Sequence, residues 1–175
     1  YQTMGKKTRI LLIEDDKDLR ETTQEFLIDE GFDVVTASNG AMGVQKAIAS
    51  PPDVIVCDIN MPDISGYEVF STLSQIAITS IAPFIFLSAK SSKDEILLGL
   101  HLGVDDYITK PFEMTELVEI INRRVENRNK LLAQLDEKFY AHIDCSHSST
   151  CIISDSIIEY ANRSLEELLG YSHGA

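Results

Sequence analysis

The sequence predicts an α/β domain in which a five-stranded parallel sheet is covered by helices on both faces, and three observations carry that reading. Short apolar runs, most of them rich in β-branched residues, recur without the polar alternation of a half-exposed strand. Segments with helical spacing lie between them. Most of the runs end on acidic, hydroxyl or lysine residues, as buried parallel strands end where the chain turns out to solvent.

The first run, "TRILLI" (8–13), stops at Glu14, Asp15 and Asp16. From Lys17 to Glu30, Leu19, Phe26 and Leu27 stand on a polar background at helical spacing, and Gly31 follows where a helix end takes a left-handed residue. "FDVVTA" (32–37) is the second strand, and "SNG" (38–40) turns into the helix "AMGVQKAIA", which Pro51 and Pro52 halt. "DVIVCD" (53–58) is the third strand, "GYEVFSTLSQI" (66–76) a helix, and "PFIFLSA" (83–89) the fourth strand. "SKDEILLGLHLG" (92–103) has a capping serine, acids in its first turn and a closing glycine, which mark a fourth helix. "VDDYI" (104–108) is the fifth strand, and after Lys110-Pro111 a long helical pattern starts near Glu113 and meets no breaker until past Tyr140.

Right-handed crossovers leave few topologies for such a chain, and ligands of open parallel sheets bind beyond the carboxyl ends of the strands. The residues there are Glu14, Asp15 and Asp16 after strand one, Asp58 after strand three, Ser88 after strand four and Lys110 past strand five. Carboxylates converging on one crevice repel each other, and a hard cation such as Mg²⁺ relieves that repulsion through oxygen ligands. A hydroxyl and an ammonium on neighbouring strands complete a cage for phosphoryl oxygens. Asp58 stands exposed at its strand end, where its carboxylate can act as a nucleophile toward phosphorus.

Four stretches, "ILLIEDDKDLR", "VIVCDINMPDISGYEV", "FIFLSAK" and "GVDDYITKPF", in this order and spacing, resemble the receiver domain of two-component response regulators over roughly residues 8 to 126. The resemblance implies a flavodoxin-like fold with five helices. It makes Asp58 the phospho-acceptor, Glu14 and Asp15 the acidic pair, and Asp15, Asp58 and the backbone carbonyl of Asn60 the ligands of Mg²⁺. Ser88 matches the hydroxyl that binds a phosphoryl oxygen, Lys110 the site lysine, and Tyr107 the aromatic switch. Lys110-Pro111 is implied to be a cis peptide, Met61-Pro62 and Gly66 the rim behind the acceptor, and Asn60 and Lys90 the positions that tune phosphoryl lifetime. The phosphodonor is then a histidine kinase or phosphotransfer protein, and phosphorylation shifts a two-state equilibrium that reaches the output region.

An aspartate-nucleophile phosphatase is a competing class, but it carries an acid two residues after its nucleophile, where this chain has Asn60. A flavin-binding protein would have Gly, Ser and Thr rather than acids after the first strand. A receiver serving only as a dimerisation scaffold is the remaining alternative. The expectation is therefore a signalling switch and not an enzyme.

The 15 Lys+Arg against 28 Asp+Glu give a net charge of −13, which offers no broad basic face, so direct nucleic-acid binding by this segment is not expected. No run approaches the ~18 apolar residues of a membrane span, and "YQTMGKKTRI" lacks the apolar stretch of a signal peptide, so a cytoplasmic protein without membrane contact is expected. Three cysteines read as reduced thiols, with Cys57 inert in the core.

The domain organisation expected is a receiver over 1–126, a linker helix over 127–140 and a further segment over 141–175. Val118, Val125, Leu132 and Phe139 fall seven apart, with Met114, Ile121, Arg128 and Leu135 in the companion positions, so residues 125–140 are expected to pair as a coiled coil in a homodimer, Arg128 being the charged exception. "DSIIEYANRSLEELLGYS" resembles the opening of a PAS sensory domain: a strand pair, an Asn, then a helix ending in Leu-Leu-Gly-Tyr. It covers only the N-terminal part of such a domain. His142, Cys145, His147 and Cys151 are close in sequence, but their irregular spacing argues against zinc. His101 reads as a surface or packing residue.

Overall fold

The computed structural model describes residues 7–89, 103–146, 148–154 and 156–170. The chain divides into two compact units, Tyr1–Arg128 and Asn129–Ala175.

The first unit holds β1 (Arg9–Ile13), α1 (Lys17–Asp29), β2 (Asp33–Ala37), α2 (Gly40–Ala49), β3 (Val54–Asp58), α3 (Gly66–Ser74), β4 (Phe84–Ser88) and β5 (Asp106–Thr109). Helix α4 (Met114–Asp144) begins in it. The helix expected over 92–103 lies outside the described residues apart from Gly103, as do His101 and Lys90. The sheet runs β2-β1-β3-β4-β5 with every neighbouring pair parallel. Because the chain moves outward from β1 to one side and from β3 to the other, strand order reverses between β1 and β3, and their carboxyl ends border the crevice.

Alternate residues of the buried strands feed two cores. Ile10, Leu12, Val54, Val56, Ile85 and Leu87 meet Leu27 of α1 and Leu117 and Ile121 of α4 on one face. Leu11, Ile13, Ile55, Cys57, Phe84 and Phe86 meet Ala47 of α2 and Val69 and Leu73 of α3 on the other. Helix α1 starts on Asp16, whose carboxylate accepts the Leu19 N–H at 3.0 Å, and α2 starts on Asn39 in the same way. Gly31 takes φ 95° just past α1, as its position predicted.

Several boundaries shift by a residue or two from the sequence expectation, and two of the shifts have a visible cause. Strand β5 begins at Asp106, two residues later than Val104, because the Asp105 carboxylate takes the Phe84 N–H at 2.8 Å and the regular ladder starts only after it. Helix α3 stops at Ser74 because the Thr79 hydroxyl, from the following loop, donates to Leu73 O at 2.7 Å and occupies a carbonyl of its last turn.

The charged exception in the heptad has a partner in its own domain. Arg128 Nη1 donates to Asp53 Oδ1 at 3.1 Å and to Asp53 O at 3.2 Å, while Asp53 Oδ2 accepts the Arg9 N–H at 2.9 Å. Ile121 and Val125 are buried in the sheet's own core. A coiled-coil seam starting at 125 is thereby corrected: the exposed apolar residues Leu131, Leu135 and Phe139 of this helix all come after Arg128.

In the second unit β6 (Cys151–Ser154) and β7 (Ile157–Ala161) form an antiparallel hairpin with a register shift between Ile152 and Ile153. Helix α5 (Arg163–Leu169) follows and ends on Gly170 at φ 76°. Asn162 is fully buried and satisfied: Oδ1 accepts the N–H groups of Thr150 and Leu165, and Nδ2 donates to Ile143 O and Ser148 O. It ties the end of α4 to the hairpin and caps α5. No described helix is long and apolar enough to cross a membrane.

Candidate functional site

The site is built at the reversal point. Asp58 is the last residue of β3 and pairs with Leu87 of β4, so Ser88 is the next residue on the neighbouring strand, fully buried and opposite Thr109 of β5. Lys110 follows Thr109 directly and donates its backbone N–H to Ser88 O at 2.6 Å, and the Lys110-Pro111 peptide is cis. Its ammonium lies 2.8 Å from Asp58 Oδ2 and 2.6 Å from Glu14 Oε2. One cation thus joins residues from the ends of β1, β3 and β5.

Glu14, Asp15 and Asp58 each present a carboxylate oxygen, and these atoms lie within 4.8 Å of one another. They are the one group among the described residues with the composition and spacing to hold a metal ion. An all-oxygen, anionic donor set suits a hard divalent cation. His142, Cys145 and Cys151 are not brought together as such a group, and His147 lies outside the described residues.

The carboxylates differ in surroundings. Glu14 is 1% exposed and Asp58 5%, whereas Asp15 faces solvent. The expectation of an exposed Asp58 is corrected: the Lys110 ammonium covers Oδ2, and Oδ1 accepts the Asn60 N–H at 3.1 Å. Burial pushes the Glu14 carboxyl up to about 7; the hydrogen bond from Lys110 opposes that rise and the Asp58 charge adds to it. Burial disfavours the Lys110 ammonium, yet hydrogen bonds to Asp58 and Glu14 outweigh it and hold its pKa above the ordinary value. Burial also raises the Cys57 thiol well above its usual range, which keeps it protonated and inert.

Tyr107 stands beside Phe86 on β5, with ring centroids 6.4 Å apart at 78°. Its hydroxyl is buried and has no hydrogen-bond partner among the described residues. Asp16 does not join the cluster: its carboxylate caps α1, and its N–H donates to Glu14 Oε1 at 3.3 Å.

Three further residues support the site: Gly66, expected at the rim behind the acceptor, and Asp63 and Arg20, which escaped the sequence reading. Gly66 starts α3 against the end of β3, where a Cβ would meet Asp58 O at 2.5 Å and Ile59 Cα at 2.9 Å. Asp63 reaches back to α2, accepting the N–H groups of Gly40 at 3.2 Å and Ala41 at 2.9 Å, and so anchors the loop after Asp58. Burial opposes the charged form of Asp63, but these bonds and that of Ile64 hold its carboxyl below the usual range. Arg20, one turn into α1, donates through Nη1 to Glu14 O at 2.6 Å and to Asp15 O at 3.2 Å.

This arrangement meets its relatives at the level of sequence. The response regulator receiver domain profile matches residues 10–122. The chain belongs to the response regulator receiver family.

The transcriptional regulatory protein PrrA of Mycobacterium tuberculosis is 37% identical over 129 residues, 74% of this chain and 54% of that protein. The response regulator SaeR of Staphylococcus epidermidis is 34% identical over 123 residues, 70% of this chain and 52% of that protein. The chain therefore spans about half the length of the curated relatives it matches. Among solved structures, the receiver domain of Francisella response regulator 1452 superposes with a TM-score of 0.65 at 31% identity, over 69% of this chain and 98% of that one. The chemotaxis response regulator CheY4 of Vibrio cholerae gives 0.65 at 26% identity, over 68% and 99%. The flavodoxin-like receiver fold is shared. The expectation of no nucleic-acid partner does not fit the name of a transcriptional regulator such as PrrA. The charge of −13 describes this segment's surface and does not extend to what a longer relative binds.

Proposed function

We propose that this receiver is a phospho-accepting switch in a two-component phosphorelay, modified on Asp58 by a histidine kinase or phosphotransfer protein. One observation carries the reading: the Asp58 carboxylate lies at the reversal point with Glu14 and Asp15 oxygens within 4.8 Å and the Lys110 ammonium at 2.8 Å. An Asp58 oxygen attacks the phosphorus of the donor, the donor's P–N bond breaks with its electron pair returning to the imidazole, and an acyl phosphate forms. Asp15, Asp58 and the Asn60 carbonyl would hold Mg²⁺, with Glu14 as the second acid of the pair. Bound there, the ion supplies charge neutralisation for the transferred group. Lys110 and the Ser88 hydroxyl are the groups to receive the phosphoryl oxygens, and Tyr107 is the side chain through which the change leaves the site.

The protein then modifies itself and turns over no external substrate, which is why it is read as a switch and not as an enzyme. With Mg²⁺ and a small phosphodonor such as acetyl phosphate, mass spectrometry should find one added phosphoryl group, and Asp58→Asn should abolish it. Steady hydrolysis of an external phosphate ester would overturn the assignment in favour of a phosphatase.

Residues 127–140 are read as a linker helix of a cytoplasmic homodimer, because Leu131, Leu135 and Phe139 recur at helical spacing and are all more than half exposed. Residues 141–175 are read as the opening of a PAS domain, from the order hairpin, Asn162, helix α5. Sedimentation of the chain against a version ending near Arg124 tests the pairing, and equal association states would remove it.

A further inference from the structure

The turn between β1 and α1 must deliver two adjacent acids in opposite surroundings, Glu14 buried and Asp15 in solvent. Four described hydrogen bonds fix its backbone. The Glu14 N–H donates to Ala37 O at 3.1 Å, which continues the ladder to β2 one residue past the end of β1. The Asp16 N–H donates to the Glu14 carboxylate at 3.3 Å. The carbonyls of Glu14 and Asp15 point the other way, to Arg20 Nη1 at 2.6 and 3.2 Å. Arg20 is half-buried, and its backbone N–H is already committed to Asp16 O at 3.0 Å, so the guanidinium is held by the first turn of α1.

We infer that Arg20 is a positioning residue for the divalent-cation site: its guanidinium clamps the two carbonyls of the acidic turn and thereby aims the Asp15 carboxylate at Asp58. This rests on the cation-dependent function proposed above. The clamp matters most at Asp15, whose side chain is exposed and whose direction is therefore set by the backbone that carries it. Hydrogen bonds from a charged donor are about twice as strong as neutral ones, which suits one side chain to holding two consecutive peptides. The only neighbouring cation described at the acids themselves, Lys110, reaches Glu14 and Asp58 and leaves Asp15 to this backbone support.

The sign of the effect separates positioning from simple charge. Were Arg20 only a positive charge near the acids, removing it would tighten Mg²⁺ binding; as a clamp, removing it loosens binding. Calorimetric titration of the full chain with Mg²⁺ should show Arg20→Ala weakened on the order of tenfold, the lower end of losses for groups that orient metal ligands. Arg20→Lys, which keeps the charge but not the planar fork, should be weakened by less. Affinity unchanged or tighter in Arg20→Ala overturns the inference. Thermal melting checks the fold of each variant, and if the Ala variant does not fold, Arg20→Lys carries the test alone, with wild-type affinity as the overturning result. Wild-type protein without Mg²⁺ affinity would defeat the proposed function itself, whereas affinity that wild type and variants share defeats only the role of Arg20.

Discussion

The Lys110 ammonium stands 2.8 Å from the Asp58 carboxylate and 2.6 Å from that of Glu14, so the site is partly neutralised by the chain's own cation. Both acids are nearly buried, and removing the cation leaves them to share the site with no compensating charge. Lys110→Ala should therefore lose about 2–4 kcal/mol of stability without divalent ions. Mg²⁺ should restore more of that loss than it adds to the wild type, because it takes over neutralisation of the same oxygens. Thermal unfolding with and without Mg²⁺ reads both effects, and an equal rise in midpoint for the two proteins would contradict this account.

The raised value of Glu14 makes stability depend on pH in a direction opposite to that of an ordinary paired carboxylate. Its folded pKa of about 7 exceeds its ordinary 4.5, so between those values the folded chain holds more protons than the unfolded one. Unfolding free energy must then fall as pH rises across that window and level off above it. Lys110, raised above 10.5, contributes stability throughout the neutral range and loses it only as pH rises through its folded value, so it does not blur the window. Urea unfolding in a chelating buffer should show this decline in the wild type and a flatter profile in Glu14→Gln. Parallel profiles would mean that the Glu14 proton is not bound more tightly on folding.

Thr23 and Thr79 are equally buried, yet the same substitution should act on them with opposite sign. The Thr23 hydroxyl has no hydrogen-bond partner among the described residues, while that of Thr79 donates to Leu73 O at 2.7 Å. Thr23→Val keeps the shape and removes an unsatisfied group, which should raise stability by about 1 kcal/mol. Thr79→Val removes a satisfied bond that closes α3 and should lower it by about 1–2 kcal/mol. Denaturant midpoints of the two variants test the pair, and shifts of the same sign would contradict the assignment.

Gly66 tests how closely the acceptor is framed. The missing Cβ would lie 2.5 Å from Asp58 O, a backbone atom with no side-chain freedom to yield. Gly66→Ala should lower stability by about 2–3 kcal/mol, as overpacking against fixed atoms does. Gly31→Ala should also destabilise the fold, but for a different reason, since that site has open space and its cost is the φ of 95°. Only the first should also slow phosphorylation by a small donor, because only Gly66 touches the acceptor's residue.

The strand ends were legible because buried parallel strands announce their length: a run of apolar residues stops where the chain must turn, and Glu14, Asp58 and Ser88 sit at those stops. Lys110 was legible as a residue just past the fifth strand, but nothing in its spacing says that its ammonium returns to Glu14, 96 positions earlier. Arg20 and Asp63 were missed for a related reason. Their partners are backbone carbonyls and amides, which every residue carries, so a sequence holds no mark of which ones an arginine or aspartate will choose. The reach of Asp63 to Ala41, 22 positions away, depends on how α2 and the loop after β3 meet. The heptad misled at 125–128 because one periodicity serves two purposes: Val118, Ile121 and Val125 face the sheet with the same spacing that a coiled coil would use.

Arg128 separates those two uses, and its replacement gives a last test. Its guanidinium holds Asp53, which in turn accepts the Arg9 N–H, so the pair fastens α4 to the start of β3 beside β1. With side chains 17% and 24% exposed, the pair is shielded enough for its loss to register. Arg128→Leu would complete the heptad and remove the guanidinium from Asp53, and the two consequences can be measured apart. Stability of the receiver should fall by about 1–2 kcal/mol, since Asp53 keeps its bond from Arg9 and regains water on its other oxygen. If the stripe through Leu132, Leu135 and Phe139 pairs with a second copy, the same change should also shift sedimentation toward dimer. A stability loss with no shift in association would assign Arg128 to the receiver alone and leave the seam without support from this position.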